Sequence, residues 1–66
     1  MTLDNNMRAI RKSQGISLDE LADKTRLAKS SLSMIERGLA HPLLGTARKI
    51  ASALDVYDCD IWPEAS

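Results

Sequence analysis

Lys29, Ser30, Ser33, Met34 and Arg37 set an ammonium, two hydroxyls, a soft thioether and a guanidinium within a short run of chain. At about 100° per residue, Ser30, Ser33, Met34 and Arg37 spread over the side of a helix opposite Leu32 and Ile35, with Lys29 on the flank. No carboxylate falls on that side. Lysine donates to guanine O6 and N7, serine pairs with several base edges, and methionine touches a thymine methyl, so the face suits the major groove of a DNA duplex. Ser17, Ser31 and the backbone amides at the helix starts suit phosphate oxygens. The bland alternative is an ordinary solvated helix face, with Met34 turned to a partner protein instead.

The other reactive side chains point elsewhere. A carboxylate aimed at DNA repels phosphate, so Glu36 is expected to pair with Arg8 or Arg11. Arg8, Arg11, Lys12, Arg48 and Lys49 divide between phosphate contacts and surface solubility. His41 is the only histidine and is expected in a loop near the DNA backbone. Without ligand partners it makes no case for metal or catalysis. Cys59, the only cysteine, is expected to be a small, partly buried hydrophobe. It excludes an internal disulfide and fits a reducing cytoplasm. No acid/base pair, activated nucleophile or phosphate-cradling glycine loop stands out, so neither an enzyme nor a cofactor is expected.

These side chains need helices to hold them. Aromatics make up only 3% of the 66 residues, which leaves Leu, Ile, Met and Ala to build a core and favours helices over sheets. Five short helices can be read, in one domain spanning residues 1–66. The first runs from about Asp4 to Ser13, with Leu3, Met7 and Ile10 on one face and Gly15 as terminator. Ser17 with Glu20 three residues later forms a capping box that opens the second, which ends near Thr25. The third spans about Lys29 to Arg37 and is closed by Gly38. The fourth spans about Leu44 to Leu54, with Leu44, Ala47, Ile50, Ala51 and Leu54 as its apolar stripe. A last turn near Asp58–Trp62 stops at Pro63.

Two short helices separated by about three residues around Arg26 imply a steep crossing, the helix-turn-helix arrangement. Ala22 lets the second helix approach, and Leu27, Leu32 and Ile35 anchor it. Net charge is zero, but residues 1–54 carry +4 and residues 55–66 carry −4. A basic body with an acidic tail is weak support for a nucleic-acid partner. No stretch approaches a membrane span, and the polar N-terminus is not a signal peptide.

The run SLDELADKTRLAKSSLSMIERG, followed by LAHPLLGTARKIASALDV, resembles the lambda-repressor-like (Cro/repressor, XRE) helix-turn-helix family over about residues 7–62. AKSSLSMIERG is similar to repressors of the sporulation and biofilm type. The resemblance implies an all-α, compact five-helix DNA-binding domain, a homodimer on a palindromic double-stranded DNA operator, and transcriptional control in the cytoplasm. By position it puts the recognition-helix start on Ala28, Lys29 and Ser30, the second turn on Ser33 and Met34, and a phosphate contact on Arg37. Three residues depart from the family pattern: Leu18 where Gln is common, Arg26 where Gly is common, and Ala28 where Ser or Thr caps the helix.

A chain this small gains from a partner subunit. Val56 and Ile61 are expected inward, and Tyr57 and Trp62 partly at a dimer contact. The competing function is a protein-binding regulator, such as an antitoxin or adaptor, favoured by the neutral total charge, Leu18 and Met34.

Overall fold

The computed structural model describes residues 5–63. Five helices follow in order: α1 (Met7–Ser13), α2 (Leu18–Thr25), α3 (Lys29–Glu36), α4 (Leu44–Ala53) and α5 (Asp58–Ile61), with no strand among the described residues. Each boundary has a local cause. α1 starts later than its periodicity predicts: Asn5 Oδ1 accepts from the Met7 N–H at 3.0 Å, an Asx-type contact that turns the chain into the helix. Leu3 and Asp4, read as part of α1, lie outside the described residues. Gly15 has φ +69°, the left-handed turn that ends α1. The capping box forms as read, with Ser17 Oγ accepting from the Glu20 N–H at 3.1 Å and Glu20 Oε1 accepting from the Ser17 N–H at 3.5 Å.

The core takes one to three residues from every helix: Met7, Leu21, Leu32, Ile35, Ala47, Ile50, Ala51 and Ile61, with Leu54 and Trp62 from the positions that follow α4 and α5. Ile10, Leu18, Ala22, Leu27 and Val56 pack against it, half-buried. α2 packs against both α3 and α4, and α4 against α5, so α2 sits between the outward-facing α3 and the central α4. Polar ties close the ends. Asn5 Nδ2 donates to the Ile35 carbonyl at 2.9 Å, satisfying one of the orphan acceptors at the end of α3. Gln14 Nε2 does the same for the Leu54 carbonyl after α4, at 2.6 Å.

Three residues sit differently from their sequence expectation. Leu44 is 60% exposed: it opens α4, one turn ahead of the point where the stripe meets the core at Ala47. Cys59 is exposed, because two residues before the buried Ile61 its side chain is rotated about 200° away from the core. Trp62 is buried rather than half-open, at 5% exposure. At Trp62 the chain leaves helical geometry (φ −120°, ψ 81°), so the consecutive Ile61 and Trp62 both turn inward.

Candidate nucleic-acid interface

The site rests on the way α2 holds α3. Only Arg26, Leu27 and Ala28 join them. Arg26 takes φ 63°, ψ 24°, and its N–H donates to the Ala22 carbonyl at 2.8 Å, which stops α2 and turns the chain sharply. A left-handed conformation costs an L-residue about 1–2 kcal/mol, so the departure from glycine is a real local strain. Thr25 compensates within the same turn. It is buried, its Oγ1 donates to the Leu21 carbonyl at 2.7 Å, and that oxygen accepts from the Leu27 N–H at 3.4 Å. Leu32 and Ile35 then fix one side of α3 in the core.

The other end of α3 is held by charge. Arg11 Nε donates to Glu36 Oε1 at 2.9 Å, with both side chains about nine-tenths buried, and Arg11 Nη1 donates to the Ile16 carbonyl at 2.8 Å. Glu36 is therefore a structural group paired with Arg11, one of its two expected partners. One guanidinium ties α1, the loop before α2 and the last turn of α3 together.

What remains outward on α3 is Lys29, Ser30, Ser31 and Met34, all exposed, with Ser33 half-exposed. Arg37 follows as the exposed C-cap, and His41 is exposed in the next loop. The hydroxyls of Ser30, Ser31 and Ser33 make no hydrogen bond among the described residues, so their donors and acceptors are open. Ala28 is an exposed N-cap with no side-chain bond, which leaves the first amides of α3 unfilled. Ser17 is less free than expected, since its hydroxyl also donates to Glu20 Oε1 at 3.4 Å. Lys29 is held by a group that sequence reading did not place there: Asp19 Oδ1 lies 3.1 Å from its Nζ. Only the crossing of α2 over α3 brings the two together.

A wider basic surface adjoins this face. Lys24 and Arg26 from the end of α2 and Arg48 and Lys49 from α4 line one open depression, with no carboxylate in its lining. No ion pair neutralises these four among the described residues. Arg48 also lines a neighbouring depression with Asp55 and Asp58, so the acidic stretch borders this surface on one side. No group of residues able to hold a metal ion occurs among the described residues. No helix there is long and apolar enough to cross a membrane.

Known proteins share both the pattern and the shape. The family model described as Helix-turn-helix (HTH_3) matches residues 7–61. The HTH-type transcriptional regulator SinR of Bacillus subtilis is 42% identical over 55 residues, covering 82% of this chain and 50% of SinR. The chain thus spans about half the length of this curated relative. A crystal structure of SinR, the master regulator for biofilm formation, in complex with DNA superposes with a TM-score of 0.75 at 42% identity, covering 80% of this chain and 86% of that one. The restriction-modification controller protein C.AhdI of Aeromonas hydrophila gives a TM-score of 0.79 at 31% identity, with 83% of each chain covered.

Proposed function

Because the chain belongs to the Helix-turn-helix family HTH_3, we propose that it is a sequence-specific DNA-binding transcriptional regulator, a homodimeric repressor that reads a palindromic operator in the major groove. One observation carries this reading. The outward side of α3 offers the unbonded hydroxyls of Ser30 and Ser33, the exposed thioether of Met34, and an exposed Lys29 ammonium that keeps donors beyond its Asp19 contact, while its inward side is locked into the core. A short helix held that way enters a groove without rearranging, so little binding energy goes into ordering it.

Lys29 and Ser30, at the start of α3, address base edges, and Ser33 and Met34 address the next pairs along the groove. Ser31, Arg37, His41 and the uncapped amides at Ala28 fix the register through phosphates, joined by the Ser17 end of α2. In a homodimer, two such helices about 34 Å apart meet successive major grooves on one side of the duplex. Bound across a promoter, the dimer represses by occlusion.

The two-fold contact is assigned to the surface around Tyr57, which is 78% exposed. A separate cleft of about 310 Å³ is lined by His41, Pro42, Leu44, Asp58 and the buried Trp62. The exposed Leu39, Leu43 and Leu44 favour a second reading, a protein partner engaged through the loop after α3.

Selection from random duplexes at two salt concentrations separates the readings. The repressor is expected to retain a palindrome whose half-sites lie about one helical turn apart. Each phosphate neutralised should contribute about −0.9 to the slope of log K against log salt. A folded protein that enriches no sequence at low salt sinks operator reading and leaves the protein partner.

A further inference from the structure

The outward face of α3 lacks a carboxylate of its own, yet one reaches it from α2. Asp19 Oδ1 and Lys29 Nζ are 3.1 Å apart, and their side chains are 77% and 58% exposed. An ion pair this open contributes little to stability. Its position is nonetheless well defined. Asp19 is the second residue of α2, in a first turn fixed by the Ser17–Glu20 capping box, where the helix dipole favours a carboxylate. Lys29 is the first residue of α3. The couple spans the turn and presents an ammonium donor and a carboxylate acceptor side by side.

We propose that Asp19 and Lys29 together read a single G·C base pair, Lys29 on the guanine and Asp19 on the paired cytosine. The inference rests on α3 being the recognition helix. The major-groove edge of G·C offers the acceptors N7 and O6 and then the donor N4–H₂. O6 and N4 hydrogen-bond to each other across the pair, about 2.9 Å apart, and Nζ and Oδ1 are 3.1 Å apart. Separation and sense both match: the ammonium faces O6 and the carboxylate faces the outward hydrogen of N4.

The hydrogen count closes as well. An ammonium has three donors; one goes to Asp19, and two remain for O6 and N7. An A·T pair instead sets an amino donor between its two acceptors, so the ammonium never finds two acceptors side by side. Against a phosphate the carboxylate is repelled. Asp19 therefore lowers affinity for DNA in general and restores it only where a cytosine amino group meets it.

The test is to repeat the random-duplex selection with the full chain and with Asp19→Ala, Lys29→Ala and the double variant, after confirming by circular dichroism that each melts like the parent. The parent is expected to fix one G·C pair in each half-site. Both single variants should lose that preference, from about tenfold or more to near parity, at that pair and no other. The double variant should lose no more than either single one. Asp19→Ala should also bind random-sequence duplex several-fold more tightly, with the salt slope steeper by about 0.9 as the released lysine finds a phosphate. A merely structural Asp19 would weaken every position alike. If the parent selects a motif and Asp19→Ala keeps its G·C preference, the couple is overturned and the reading of α3 stands. If the parent selects nothing at low salt, both fall.

Discussion

Glu36→Gln is expected to leave the chain largely unfolded at 25 °C. The substitution keeps the size and polarity of the side chain and removes its charge, stranding the Arg11 guanidinium. Arg11 is 8% exposed as a residue, and its pair with Glu36 has side-chain exposures of only 10% and 8%. Breaking a buried pair from one side costs about 3–5 kcal/mol, because the remaining charge stays desolvated without a counterion. A core in a domain this small rarely supplies more than about 3–5 kcal/mol of net stability, so the loss is comparable to the whole. Thermal melts followed by helical circular dichroism measure it. Replacing both partners, Arg11→Met with Glu36→Leu, should recover most of the loss, since an apolar pair leaves no charge behind. A Glu36→Gln protein that melts within a few degrees of the parent would show that water reaches the guanidinium and that the pair does not hold α3.

Leu32→Ala is the second large effect, expected to cost about 2–5 kcal/mol. Leu32 is fully buried at the centre of α3, in one core cluster with Leu21 of α2 and Ile50 of α4, so truncation leaves a cavity in that cluster. Its neighbour in sequence provides the control. Ser33 lies on the other side of α3 and makes no side-chain bond among the described residues, so Ser33→Ala should change stability by less than about 0.5 kcal/mol. Urea midpoints at constant m-value compare the two. Equal losses would mean that α3 is not fixed with one face in the core.

The contrast between Leu32 and Ser33 also shows why much of the architecture was legible in the chain. Ser17 and Glu20, Gly15, and the spacing of Leu21, Leu32 and Ile35 act within one or two turns, and local geometry alone decides them. Arg26 was legible through the resemblance instead: it stands at the turn position where the family commonly has glycine, and the structure gives it φ 63°.

What escaped depends on how elements cross. Glu36 had Arg8 and Arg11 as expected partners. Arg11, one turn after the buried Met7, shares its face and takes the pair, while Arg8 stays exposed. Asp19 looked like an ordinary first-turn acid of α2 until the crossing brought Lys29 to it. Asn5 on the Ile35 carbonyl is likewise a contact between distant parts of the chain with no local signature. At α5 a single turn has no periodicity to read, which is why Trp62 was expected partly at a dimer contact and Cys59 partly buried, whereas the fold buries Trp62 and exposes Cys59.

The same reasoning shows why the three departures from the family pattern leave the fold standing. Leu18 is half-buried and packs against the core, so it exchanges a polar contact for burial. Arg26 strains one residue. Ala28 leaves the start of α3 uncapped, and those open amides are an asset where a phosphate is to be bound.

The central claim is that the outward side of α3 meets DNA. The most direct measurement is a nitrogen–proton NMR titration of the labelled chain with a duplex of about 20 base pairs, long enough for two half-sites, at low salt. The account predicts the largest shifts at Lys29, Ser30, Ser33, Met34 and Arg37, weaker ones at Ser17 and His41, and a core that stays where it is. Shifts confined to Leu43, Leu44 and Tyr57 with α3 unmoved, or no shifts at all from a folded chain, would contradict it.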